Sequence, residues 1–124
     1  MEMIQKVPGE LRVLSNHIYE YKKGVRNLVL YTFSKKYEKD IIKKLENQQI
    51  AYIRQDVNSR TINLFFGKPE CLDLIRFIAN RPLNTLSPEE DFMLGALLGY
   101  DLCKQCERYC SLKKKMPKLA LRVS

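Results

Sequence analysis

In "NHIYEYKKGVRNLVLYTF" hydrophobic and polar side chains alternate, with His17, Tyr19 and Tyr21 set against Ile18 and Glu20. A period of two is that of a strand with two distinct faces. Lys22–Lys23–Gly24 then predicts a hairpin turn, because glycine takes positive φ without a Cβ clash. The second strand of the hairpin runs from Val25 to Phe33. Its Leu28–Val29–Leu30 run is apolar on both faces, which predicts a place in the middle of the sheet.

From Ser34 the period lengthens. Tyr37, Ile41 and Leu45 recur every fourth residue and predict a helix capped by Ser34, with Lys35, Lys39 and Lys43 as an equally regular stripe on another face. "IAYIRQDV" and "RTINLFF" return to strand character, joined by a turn at Asn58–Ser59 and closed by Gly67. Pro69 suits the first turn of a helix that turns Leu72, Ile75 and Ile78/Ala79 inward, and Arg81–Pro82 ends it. "SPEED" is a capping box: Ser87 is the N-cap, Pro88 opens the helix, and Glu90 stands three residues after the cap. One long helix is expected from there to about Leu112, with Lys113–Lys115 at its negative end and Pro117 beyond. Pro8–Gly9 predicts a turn, and the tail "KLALRV" alternates like a short strand.

The predicted class is α+β: four strands in a mainly antiparallel sheet, in the order β-β-α-β-β-α-α, with the long C-terminal helix packed on the sheet. The strand–helix–strand piece from Val25 to Val57 has the form of a parallel pair joined by a right-handed crossover. The expected organisation is a single domain over residues 1–124, with its core at about 11–112 and a basic tail at 113–124. At 124 residues the chain is long enough for a core without disulfide or metal staples. Its apolar runs are too short to span a bilayer, and "MEMIQKVPGELRV" lacks the apolar block of a signal peptide. A cytoplasmic protein with no membrane partner is expected.

The net charge of +8 is unevenly spread. Residues 1–50 hold ten Lys/Arg against six Asp/Glu, residues 51–90 five of each, and residues 91–124 seven against three. Two basic ends around a neutral middle favour acidic partners. Nucleic acid is one such partner and an acidic protein another.

Candidate chemistry is sparse. Cys103, Cys106 and Cys110 in "LCKQCERYC" fall at i, i+3 and i+7, one face of a helix, and that face continues backwards through Gly99, Ala96, Gly95 and Phe92. The three thiols therefore read as a buried stripe of small hydrophobes. The competing reading is a metal or redox site, with those three cysteines as ligands. A second C-x₂-C motif is missing, and His17 is the sole histidine. Cys71 sits in the first turn predicted after Pro69, where the helix dipole favours a thiolate, although Glu70 and Asp73 oppose it. It is the candidate reactive thiol. Gly95 and Gly99, four apart, let another element approach the long helix, its own sheet more readily than a second copy; a homodimer stays open.

No Ser-His-Asp order, no H-E-x-x-H and no glycine-rich phosphate loop is present, so the chain reads as non-enzymatic and without a cofactor. Tyr19 and Tyr21, flanked by Lys22, Lys23 and Arg26, are candidate contact aromatics, and on an exposed sheet they would also stack single-stranded RNA bases. The aromatic-glycine motif of sheet-based RNA readers is missing.

"HIYEYKKGVRNLVLYT", "INLFFG" and "LSPEEDFMLGALLGYDLCKQCERYC" together resemble a small bacterial family known only as a domain of unknown function, over about residues 16–112. The resemblance implies a cytoplasmic bacterial protein with a compact α+β fold, loosely associated with genes for flavodoxin, an acidic electron carrier. The leading expectation is a basic binding or adaptor module for an acidic protein partner, using Tyr19, Tyr21, Lys22, Lys23, Arg26, Lys35, Lys39 and Lys43. The alternatives are a cysteine-based metal or redox protein and a single-stranded RNA binder.

Overall fold

The computed structural model describes residues 9–116. The turn at Pro8 and the strand-like "KLALRV" lie outside them. Along the described residues run helix α1 (Gly9–Lys22), strand β1 (Leu28–Ser34), a one-turn 3₁₀ helix (Lys35–Tyr37), helix α2 (Glu38–Asn47) and strands β2 (Tyr52–Asp56) and β3 (Thr61–Gly67). Helix α3 (Pro69–Ile78), a second 3₁₀ turn (Leu83–Thr85), α4 (Pro88–Leu97) and α5 (Leu102–Lys114) follow.

The α+β class stands, but the described sheet has three strands, not four, in the order β1-β3-β2. The segment read as a first strand is α1. A six-residue alternation from Asn16 to Tyr21 is outweighed by a longer pattern in which Leu11, Leu14, Ile18 and Tyr21 recur at helical spacing. Leu14 and Ile18 are buried, with Leu11 and Tyr21 packed against the same core. Lys22–Lys23–Gly24 is accordingly the end of a helix rather than a hairpin. Gly24 does take positive φ, at 80°, and its N–H closes onto the Tyr21 carbonyl at 3.1 Å.

The centre of the sheet is β3. It pairs antiparallel with β1, Val29 opposite Phe66, and with β2, Tyr52 opposite Phe66. β1, expected centrally, is an edge strand; its Leu28 and Val29 are buried because helices cover both faces, which hydrophobicity alone does not distinguish from central pairing. β1 and β2 run parallel to each other but do not pair, because β3 enters between them antiparallel to both. β2 and β3 form a tight hairpin, and β1 pairs with the other edge of β3.

The sheet separates two cores. On one face, Leu14 and Ile18 of α1 and Ile41 and Leu45 of α2 meet Val29, Phe33, Ile62, Leu64 and Phe66. On the other, Leu72 and Ile75 of α3, Leu94 of α4 and Leu98 just after it meet Leu28 and Phe65. Every β3 residue from Ile62 to Gly67 is buried as a result. The inward residues read for α2 and α3 hold, with Tyr37 only partly buried at the rim. Ser34 precedes the 3₁₀ turn and makes no side-chain cap bond, so α2 begins later than expected, at Glu38. Ser87 accepts from the Glu90 N–H and Glu90 accepts from the Ser87 N–H, completing the capping box. Arg81 adds an ion pair that holds the Glu90 carboxyl down to about 2.

The single long C-terminal helix is two. Gly99, at φ 78°, ends α4 with its N–H on the Ala96 carbonyl and the Tyr100 N–H on the Gly95 carbonyl at 3.0 Å. These are the paired bonds of a Schellman motif. Asp101 then caps α5 by accepting from the Lys104 N–H at 2.8 Å. The chain folds back and α5 packs along α4 instead of on the sheet. Phe92 meets Tyr109 edge-on at 6.2 Å, Arg108 chelates Asp91, and the buried Gln105 amide fills the space over Gly95.

Candidate functional site

The chain reversal decides where the cysteines lie. Cys103, Cys106 and Cys110 are helical, as expected, but exposed rather than buried. Their register was projected through Gly99 from α4, and the reversal there destroys that phase. Gln105, Tyr109 and Leu112 form the side of α5 that turns inward instead. No group of three His, Cys, Asp or Glu among the described residues is placed to hold a metal ion. Cys71 is half-buried in the first turn of α3 and packs against the α3–α4 core.

The expected contact residues separate into three sets. Tyr19, on the outer side of α1, is 62% exposed with the Lys23 ammonium 5.5 Å above its ring. Tyr21 is not a surface aromatic: it packs edge-on against Phe66 at 6.3 Å. Arg26 is held by Glu20 at 3.2 Å, and Lys22 is exposed at the end of α1. These residues lie at the Leu28 end of β1, whereas Lys35 follows its Ser34 end, about 20 Å away along the strand. The lysines at 113–115 close α5, on the far side of the sheet. The basic residues therefore form separate patches. Both faces of the sheet are covered by helices and both tyrosines are helical, so the open tyrosine-bearing sheet that RNA stacking required is not formed.

The densest patch is along the 3₁₀ turn and α2. Lys35, Lys36, Lys39 and Lys43 surround a shallow groove of about 540 Å³ floored by Ile42, with Glu38 and Glu46 at its sides. The neighbouring carboxylates are already engaged. Arg54, on β2, pairs with both Glu38 and Asp56, and these hydrogen bonds raise the hold on its own proton. Glu46 accepts from the Tyr52 hydroxyl at 2.8 Å, which pushes the Tyr52 phenol up. Lys35 lies 3.7 Å from Asp56, but Lys39 and Lys43 make no salt bridge with any described residue. Their spacing of four keeps both ammonium groups on one side of the helix.

His17, expected on a strand, is on α1 against Tyr31, with ring centroids 5.4 Å apart. Its Nδ1 is buried without a hydrogen-bond partner among the described residues. Burial, then the charge of Arg26, lowers its pKa from 6.5, with Glu20 opposing. Since the native state disfavours the proton, the unfolded chain takes it up first. Stability is full above pH 6.5 and declines as the pH falls from there towards the native value. The slope of Tm against pH across this window should flatten in His17→Phe, which retains the aromatic contact; an unchanged slope would assign it to the carboxylates.

The signals that sequence reading passed over were short. Gly99 followed by Asp101 is a helix stop and a helix start in "LGYDLC", and Met93 has no partner until α5 folds back beside it. Once it does, Met93, Cys106 and Cys110 line one apolar groove.

The chain belongs to the family DUF2023, proteins of unknown function, which it matches over residues 12–112. No curated protein matches it.

Proposed function

For a member of a family without an assigned activity, we propose a basic binding module that engages an acidic protein partner through the α2 face. The observation that carries this reading is the pair Lys39 and Lys43, which make no salt bridge with any described residue, with Lys35 and Lys36, around the apolar floor of Ile42. Charge of one sign steers an oppositely charged partner to the surface, and a small apolar centre gives it something to bury. Glu38 and Glu46 at the groove sides disfavour a continuous phosphate backbone but suit a protein surface of mixed charge. An acidic flavodoxin-like electron carrier is the partner class to try first.

The test is titration of such a flavodoxin with the full chain at low and moderate salt. Lys39→Glu/Lys43→Glu should weaken binding more than about tenfold at low salt, and added salt should weaken the parent protein in the same sense. Binding that survives the double reversal would overturn the reading. Equal affinity for single-stranded RNA would shift it to nucleic acid.

A further inference from the structure

We propose that the groove between α4 and α5 is a cuprous-ion site, with Cys106 and Cys110 as thiolate ligands and Met93 as a thioether ligand. Three sulfur side chains line this one groove of about 470 Å³, along with Phe92, Tyr109 and the stem of Glu89. They come from two helices that meet only because the chain reverses at Gly99. Cysteine is ordinarily among the most buried residues, so its exposure beside an apolar groove calls for a reason.

The spacing favours a bound ion over a disulfide. Residues four apart on a helix hold their Cβ atoms about 5–6 Å apart. A disulfide brings them to about 3.8 Å, which would unwind α5. Two metal–sulfur bonds of about 2.3 Å reach between sulfurs up to about 4.6 Å apart and leave the helix intact.

The donor set selects the ion. Thiolate and thioether are soft ligands suited to Cu(I). A structural zinc site fills four positions with Cys, His or carboxylate, and no such group of even three is assembled among the described residues. Binding releases the two thiol protons to solvent and leaves one net negative charge on the site. Lys114 adjoins it, in a depression shared with Cys106 and Cys110. Glu89 is neutralised by Lys113 at 3.1 Å and donates no free charge to the groove. The Arg108–Asp91 pair and the Phe92–Tyr109 contact hold the two helices in place before any ion arrives. Neither Cys103 nor Cys71, which packs in the α3–α4 core, lines the groove, so both serve as internal controls.

The test is an anaerobic titration of the reduced full-length protein with Cu(I), against a chromogenic cuprous chelator and with excess glutathione present. One Cu(I) per chain should be retained. Cys106→Ser and Cys110→Ser should each weaken binding about a hundredfold or more, since outer-shell partners alone are worth about ten- to a hundredfold. Met93→Leu should cost about tenfold, and Cys103→Ser and Cys71→Ser should stay within about twofold. Affinity should fall as the pH is lowered, because protons compete for both thiolates. Circular dichroism of each variant separates loss of the site from loss of the fold. Stoichiometric binding that survives Cys106→Ser/Cys110→Ser, copper surrendered fully to glutathione, or a loss in Cys103→Ser equal to that in Cys106→Ser would each overturn the proposal.

Discussion

Gly67→Ala should destabilise the protein by about 3 kcal/mol and lower Tm by about 10 °C. Gly67 ends the central strand at φ +150°, a conformation L side chains rarely adopt, and it is buried. A Cβ there would stand 2.3 Å from the Asn27 carbonyl oxygen and 2.9 Å from the Leu28 Cα. Both obstacles are backbone, so no side chain can swing aside. Nor can that backbone withdraw freely: the Lys68 N–H donates to the same Asn27 carbonyl at 2.9 Å, and Leu28 opens the strand paired with Gly67. Gly24→Ala is the control. It also has positive φ, but a Cβ would meet nothing within 4 Å, so only the conformational cost of about 1 kcal/mol remains. Thermal melts of the two variants should differ clearly; equal melts would mean that the β1–β3 junction relaxes around the methyl group.

Asn63→Leu should cost about 2 kcal/mol although the two side chains branch alike. Asn63 is a buried polar residue on the most buried strand, and it links three strands to a loop. Thr32 donates to its Oδ1 at 2.6 Å, and its Nδ2 donates to Gln55 Oε1 at 3.0 Å. Gln55 Nε2 in turn donates to the carbonyls of Ala79 and Arg81, at 3.0 and 2.8 Å. Leucine removes both bonds; the exposed Thr32 hydroxyl turns to water, but the half-buried Gln55 carbonyl loses its partner, and an unmade sheltered bond costs more than a made one contributes. Hydrogen exchange should quicken in residues 79–86, the loop that Gln55 holds. If Asn63→Leu melts like the parent, the ladder is incidental.

Much of the architecture is legible in the pattern of residues because it rests on short-range rules. The "SPEED" capping box needs only three residues of context, and α3 with its inward Leu72 and Ile75 needs one turn of periodicity. The β2–β3 hairpin is written by its turn at Asn58–Ser59. The failures occurred where two short-range patterns were both present. From Asn16 to Tyr21 alternation and helical spacing coincide, and only burial of Leu14 and Ile18 under the sheet selects the helix. At Gly95 and Gly99, two glycines four apart suit both a close helix contact and a helix end. Gly95 is the contact, under Gln105, and Gly99 is the end.

The candidate sites divide the same way. Lys39 and Lys43 of α2 share one side by helical spacing alone, and Lys35, in the 3₁₀ turn before α2, lines the same groove. Which carboxylates oppose them does not follow, since Arg54 reaches Glu38 from strand β2, sixteen residues later. The sulfur groove is wholly tertiary. Met93 and Cys106 are thirteen residues apart, and they share a wall because Gly99 takes a left-handed turn and Asp101 starts a new helix. Sequence by itself determined the class, the three described strands β1, β2 and β3, the helices α2, α3 and the start of α4, and the net positive charge, because each depends on neighbours within a turn or two of chain. Only the tertiary structure decided which strand is central, which tyrosine is exposed and which way the thiols face, because those depend on where distant segments meet.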